Sequence, residues 1–269
     1  MNKTFKTSVL EYAKTLGIPF VGIAGDGATY SKIVCLFPYY TGKKNMGNLS
    51  LYAYGKDYHT ICGEYLLKIA DYIREHFPLA KTAIHVDKGD GNDKEAAFLA
   101  GLGFYGKNTL IINETYGSFV FIGYVETDVI LPPDAPLSVS CIGCGKCEKA
   151  CPGGALKNGK LDEAKCASYI SQKKGALSEE ETAIIRKSGL LWGCDTCQTV
   201  CPHNEAAKIT PLKAFSEDLI FSLSHLTVSN KAFLSLYGDR AFSWRGKSVI
   251  NRNLEVISLH ETNRDGHTI

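Results

Sequence analysis

Apolar and polar positions along the first 130 residues alternate between two periods, and the switching predicts a short series of helices and strands. "SVLEYAKTLG" (8–17) carries apolar residues at helical spacing and closes on Gly17, a residue suited to a left-handed C-cap. Two compact apolar runs follow, "FVGIAG" (20–25) and "KIVCLFPYY" (32–40), and both read as buried strands. "DYHTICGEYLLKIADYIREHF" (57–77) returns to a helical period and stops before Pro78, since the residue before a proline avoids the helical region. "KTAIHVD" (81–87) reads as another strand, and "NDKEAAFLAGLGF" (92–104) as a helix capped by Asn92 or Asp93. "NTLIINETYGSFVFIGYVETDVIL" (108–131) holds two strand-like runs around an Asn-Glu-Thr-Tyr-Gly turn and predicts a hairpin. Helices mixed with strands and an antiparallel hairpin give an α/β or α+β region. "LPPDAP" (131–136) breaks the pattern, and a cysteine-rich stretch and a helical tail follow. The expected division is 1–133, 134–209 and 210–269.

Composition adds limits. The chain has 269 residues, 45% of them hydrophobic and 22% charged, as in a globular protein with a sizeable core. Thirty basic residues against 28 acidic ones leave +2, so no global field points to nucleic acid or a membrane surface. No apolar run reaches the ~20 residues of a membrane span, and the N-terminus lacks a signal-peptide core; the expectation is a cytoplasmic protein. Eight of the ten cysteines lie between positions 141 and 201. Clustered thiols at fixed spacing in a reducing compartment read as metal ligands before disulfides. Cys35 and Cys62, in apolar settings, read as small core residues.

The run "CIGCGKCEKACPGGAL" (141–156) has the spacing C-x2-C-x2-C-x3-C-P of bacterial [4Fe–4S] ferredoxins, in which the fourth cysteine serves the other cluster of a pair. That assigns Cys141, Cys144 and Cys147 to one cluster, completed by Cys201 from the echo "WGCDTCQTVCPHN" (192–204). Cys166 supplies the thiol that the second run lacks, so the other cluster takes Cys151, Cys166, Cys194 and Cys197. All-cysteine zinc sites also use C-x2-C, but the x2-x2 spacing with a trailing Cys-Pro favours clusters. Such a module alone would be an electron carrier, and clusters move single electrons, so the larger N-terminal region is the place to seek chemistry. Glycines 101, 103 and 106 form G-x-G-x-x-G between a helix and a strand, the wrong context for a dinucleotide loop. Two readings stay open there: backbone approach to a flat ligand with Lys107, Asn108 and Thr109 beside it, or a tight turn.

"GLGFYGKNTLII" (101–112), "GSFVFIG" (117–123), the two cysteine runs and "LDEAKCASYIS" (161–171) together resemble the epoxyqueuosine reductase family, and "FSWRGKSVINRN" (242–253) does so weakly. The resemblance implies a cobalamin-dependent oxidoreductase with two [4Fe–4S] clusters that completes queuosine in tRNA. The fold it implies is α+β: a mixed α/β corrinoid-binding-like region, a ferredoxin-like two-cluster domain and a short helical tail. It places the catalytic acid at Asp87, whose residue-level alternative is a strand-end turn cap, and burial would suit a proton donor there. The corrinoid contacts it implies are Tyr52, Gly55, Asp57, Tyr58, Asp87, Lys107, Asn108, Thr109, Ile111, Ser168 and Asp195. His59 reads as a polar wall or core residue, not a cobalt ligand. Implied partners are an external one-electron donor of flavodoxin or ferredoxin type and tRNA, with no membrane. An electron-transfer protein that reduces a corrinoid partner is the alternative. The stretch after the acid departs from the family pattern: Asp90 replaces a proline, and Asp93 and Lys94 replace a Glu-Arg pair. The expectation is therefore a shortened form without the family's C-terminal helical-repeat portion. Lys173, Lys174, Arg186 and Lys187 read as a solvated helix face before a phosphate-binding patch.

Overall fold

The protein, a computed structural model, is described over residues 2–44, 46–87 and 93–265, with 259–265 described by backbone alone. Asp90 and Asn92 lie outside the described residues. The first helix, α1 (Lys3–Thr15), is capped by Asn2, whose side chain accepts the Phe5 amide, and it ends before Gly17 at φ 89°. Strands β1 (Phe20–Gly25) and β2 (Ser31–Pro38) follow where the apolar runs predict them, and then α2 (Tyr58–His76). Asp57 caps α2 by accepting the His59 amide at 2.9 Å. Next come β3 (Thr82–Val86), α3 (Asp93–Leu99), the two-residue strands β4 (Phe104–Tyr105) and β5 (Ile111–Ile112), and β6 (Val120–Thr127).

The hairpin expected within 108–131 forms differently. Asn113 and Gly117 make an isolated antiparallel bridge, but β5 pairs with β4, while β6 enters the main sheet between β2 and β3. The reason is length: β6 offers eight residues that pair on both edges, whereas Ile111–Ile112 offers two. The main sheet is antiparallel throughout, in the order β1-β2-β6-β3. Its period of two sorts side chains cleanly. Ile33, Cys35 and Phe37 face α1 and α2 in one core, and Val34 and Leu36 face α3 in a second. Cys35 and Cys62 are fully buried, as expected of small core residues.

The remaining elements are short: α4 (Lys146–Ala150), the hairpin β7 (Leu156–Lys157) and β8 (Lys160–Leu161), α5 (Ala167–Ser171), α6 (Glu179–Ser188) and α7 (Thr196–Thr199). The tail carries α8 (Asn230–Tyr237) and α9 (Lys247–Asp265). Leu212, Phe215, Leu223, Phe233, Phe242 and Ile250 from the tail pack into the same core as α1 and α2, so the chain folds back over its beginning. Asn253 fastens this return, since its Nδ2 donates to the carbonyls of Ser171 (2.8 Å) and Leu191 (2.7 Å). The cysteine-bearing 190s are docked on residues 48–52 through a parallel bridge, Leu49 to Trp192, and through Ser50 N–H to the Trp192 carbonyl. Gly193 permits this closeness, because a Cβ there would lie 2.1 Å from Ser50 Oγ.

Candidate functional site

Folding sorts the eight clustered cysteines into two groups. Cys141, Cys144, Cys147 and Cys201 line a small crevice with Gly106, Lys107, Asn108 and His203. Cys151, Cys166, Cys194 and Cys197 share one wall of a cavity of about 980 Å³. Electrostatics follow the same division. Burial pushes the Cys197 thiol up, and Cys194, Cys166, Cys151 and then Cys147 add to it. Burial also pushes Cys201 up, with Cys141 and Cys144 contributing. Bonded metal would reverse these electrostatics, since a coordinating thiol is deprotonated outright. Among the described residues no three His, Cys, Asp or Glu side chains converge on a single-ion site. A cubane spreads its thiolates over four irons and needs no such convergence.

The large cavity lies between that cysteine wall and residues of the main sheet and α2. Tyr52, Asp57, Tyr58, Asp87, Asn108, Thr109, Ile111 and Ser168 all line it, as does His59. Gly55, Lys107 and Asp195, expected on the corrinoid, do not. Gly55 packs against the Phe215 backbone, and Lys107 pairs with Glu148 (3.6 Å) beside the first cysteine group. The Asp195 carboxylate is buried and accepts the Leu51 amide at 2.7 Å, which ties the 190s to the N-terminal region. Sequence reasoning missed Tyr39, Ser118, Phe121, Gln172, Trp192, Gln198 and Trp244 on the cavity wall. All but Gln172 stand in stretches singled out by sequence, yet their meeting is decided by distant segments, as in the buried set where Tyr39 and Ser118 both donate to Gln198 Oε1.

At the far wall, Tyr58 donates to Asp87 Oδ2 at 2.6 Å while its ring stacks on Phe121 at 4.2 Å. The His59 ring lies against Tyr58, with Nδ1 2.8 Å from Asp57 Oδ1 and Nε2 3.9 Å from Asp87 Oδ2. The carboxylate of Asp87 thus has two neighbours that fix its direction. Burial of Asp87, the expected condition, is not found: its side chain is 65% exposed toward the cavity. Burial, and after it the charge of Asp87, pushes the Tyr58 hydroxyl up, and the same two causes push the Asp93 carboxyl above its usual range.

Two non-glycine residues on the cavity wall sit in the left-handed backbone region, Asp87 at φ 56° and Thr109 at φ 64°. For a β-branched residue this is a true outlier, and such strain gathers at functional sites. At Gly101 and Gly103 the glycines serve a tight turn, while Gly106 lines the crevice of the first cysteine group. A Cβ at Gly101 or Gly103 would lie 2.6 Å from a carbonyl of the chain itself, of Ala135 and Ile112 respectively. Lys173 and Arg186 are engaged internally, with Glu181 (2.6 Å) and the Val256 carbonyl (3.1 Å), which suits a solvated helix face.

Residues 140–204 match the family model described as "4Fe-4S double cluster binding domain", and residues 28–88 match "Epoxyqueuosine reductase QueG, DUF1730". An epoxyqueuosine reductase of Bacillus cereus is 38% identical over 215 residues, which are 77% of this chain and 56% of that protein. Over most of its length the chain is thus similar to epoxyqueuosine reductases. It spans about half the length of the curated relatives it matches, with 55% of the Listeria monocytogenes protein covered. A crystal structure of selenomethionine-labelled epoxyqueuosine reductase superposes with a TM-score of 0.84 at 27% identity, covering 98% of this chain and 83% of that one. An epoxyqueuosine reductase solved with an epoxyqueuosine-modified tRNA-Tyr stem loop gives 0.83 at 27% identity, covering 96% and 81%. The architecture is thus the family's mixed α/β fold joined to a double [4Fe–4S] cluster domain. Among the described residues no helix is long and apolar enough to cross a membrane.

Proposed function

We propose that this chain is a cobalamin-dependent reductase that removes the epoxide oxygen of epoxyqueuosine in tRNA. The observation that carries the reading is the cavity of about 980 Å³ with four cysteines on one wall and the Tyr58–Asp87 pair on the other. That volume is at the upper end for small-molecule sites, as a corrin macrocycle needs. Its walls supply flat apolar surface from Phe121, Trp192 and Leu156, and two buried polar atoms on them, Asn108 Nδ2 and Asp93 Oδ1, lack a partner. Buried polar groups without partners await one, and the amide-fringed edge of a corrinoid offers both donors and acceptors.

In this reading Cys141, Cys144, Cys147 and Cys201 hold one [4Fe–4S] cluster, and Cys151, Cys166, Cys194 and Cys197 hold the one beside the corrinoid. The clusters pass single electrons, and the corrinoid, when bound, supplies the strongly reducing metal centre. Asp87 holds the proton that the departing oxygen requires. Tyr58 and His59 aim its carboxyl into the cavity, and Asp57 fixes the His59 ring through Nδ1. An occupant of the cavity would exclude water from Asp87, so the exposed carboxyl becomes desolvated only in the loaded enzyme. Trp244, 58% exposed at the cavity wall and covered by the Arg245 guanidinium at 3.6 Å, forms a stacking surface for a nucleoside of the substrate.

The deciding experiment adds cobalamin to anaerobically reconstituted protein and measures binding and conversion of an epoxyqueuosine-modified tRNA stem loop. Binding with turnover that Asp87→Asn abolishes is expected. Absence of corrinoid binding would leave the electron-transfer alternative, and unchanged turnover in Asp87→Asn would remove the proton-donor role.

A further inference from the structure

Outside the large cavity, the most unusual surface lies around the first cysteine group. Residues 135–140 are all exposed, and so are 142–144. Within this short run stand three exposed large apolar side chains, Leu137 (36%), Val139 (52%) and Ile142 (63%), beside the exposed Cys144. Single exposed apolar residues are ordinary, but a contiguous patch marks an interaction surface.

Along residues 131–150 the exposed charge has one sign. Segment 131–150 contains two acids, Asp134 and Glu148, and both are engaged inside the chain. Asp134 accepts Lys6 Nζ at 2.5 Å and the Ile23 amide at 2.7 Å. Glu148 pairs with Lys107 at 3.6 Å and accepts the Gly159 amide at 3.2 Å. Lys146 and Lys149, one helical turn apart on α4, are exposed and left to face solvent. On the β7–β8 hairpin, Lys157 and Lys160 stand directly opposite one another. Like charges in register destabilise a ladder, and here the exposed Asp162 and Glu163 follow the pair in the chain.

We propose that the Leu137–Val139–Ile142 patch around Cys144 is the docking site for a small acidic flavoprotein that carries flavin mononucleotide as a one-electron donor. The dimethylbenzene edge of the flavin is apolar and fits the patch, and carboxylates around it meet Lys146 and Lys149. Small apolar contacts with a charged rim suit a transient electron-transfer encounter, in which charge sets the association rate. The step balances without a proton: the anionic flavin hydroquinone becomes the neutral semiquinone, and the cluster held by Cys141, Cys144, Cys147 and Cys201 gains one electron. The proposal rests on that cluster assignment and is independent of the substrate, so its failure is separable from failure of the reductase reading.

The test follows cluster reduction by stopped-flow absorbance in the full, cluster-loaded chain mixed with flavodoxin hydroquinone. In Lys146→Glu/Lys149→Glu the second-order rate at low salt falls about tenfold or more, the difference shrinks at high salt, and reduction by dithionite is unchanged. Val139→Ser lowers the rate several-fold at every salt concentration, and Lys146→Gln/Lys149→Gln gives an intermediate effect should the double reversal load clusters poorly. Lys174→Glu/Lys187→Glu, of equal net charge change on the segment packed against α5 and α9, leaves the rate near the parent value. A parental rate in the α4 reversal overturns the proposal. It is equally overturned if that reversal slows an acidic ferredoxin but not flavodoxin, or weakens binding of a tRNA stem loop while flavin-driven reduction stays intact.

Discussion

The two cysteine groups interleave along the chain yet finish in unlike surroundings. Cys144 is exposed and its companions enclose only a crevice, whereas Cys151, Cys166, Cys194 and Cys197 are all half-buried and form the wall of the large cavity. The crossing of Cys151 and Cys201 between the runs sets the groups back to back, and Cys147 is close enough to influence Cys197. One group meets solvent, the other meets the chemistry, and the chain between them is short. In the proposed assignment this sets a direction: one cluster that can be approached from outside, and one that faces a site a partner protein would not enter.

The largest effects should come from breaking either group. Cys144→Ser and Cys197→Ser are each expected to lower iron from about eight to about four per chain, measured after anaerobic reconstitution. Both abolish donor-driven turnover. Only Cys197→Ser should also alter the absorption of cobalamin added to the protein, because only that group borders the cavity. Equal effects of the two variants on the corrinoid spectrum would erase the distinction between the groups.

Asp87→Asn ranks next. Turnover is expected to fall ~10²–10⁴-fold, the range for loss of a positioned proton donor, with both clusters and corrinoid affinity retained. Tyr58→Phe removes the 2.6 Å hydrogen bond to Asp87 but keeps the ring stacked on Phe121. A hydrogen bond to a charged group contributes ~1.5–3 kcal/mol, so a kcat loss of about ten- to a hundredfold is expected. A loss confined to KM would mean that Tyr58 holds ligand and does not aim the acid.

Trp244→Ala tests another part of the cavity wall. Stacking of a base on an aromatic ring is worth ~1–3 kcal/mol, so KM for the modified stem loop should rise about tenfold with kcat kept. Unchanged KM would leave Trp244 as a surface residue beside Arg245.

How much of this the sequence announced depends on how local each feature is. The cysteines were legible because their spacing is covalent and one tight loop sets the reach of three thiolates. Strand β2 and helix α2 were legible because their patterns repeat over eight and nineteen residues. The partner of β6 was not, since pairing is decided by edges that lie far away in the chain. Gly55, Lys107 and Asp195 adjoin residues that line the cavity or bind metal in this reading, but adjacency in a turn sends neighbours in opposite directions. Gln198, Ser118 and Tyr39 meet only after three segments converge, and no short pattern encodes that meeting.

The smallest expected effect is the most discriminating for the cavity. Thr109 holds φ 64° between an N–H bonded to the Gly106 carbonyl (2.9 Å) and a carbonyl that accepts Lys94 Nζ (3.2 Å). The left-handed region costs an L-residue ~1–2 kcal/mol, and glycine returns ~0.4–1 kcal/mol of that through the freedom of its unfolded chain. Thr109→Gly should therefore stabilise the cofactor-free protein by somewhat under ~1 kcal/mol, a rise in melting temperature of about 2 °C for a chain of this size. Strain that a fold tolerates without benefit would be removed at no cost to binding. If the threonine conformation instead serves the cavity, the same variant binds cobalamin more weakly while melting later. A variant that melts earlier, or that binds cobalamin as tightly as its parent, would show that the strained residue on this wall has no part in holding the ligand.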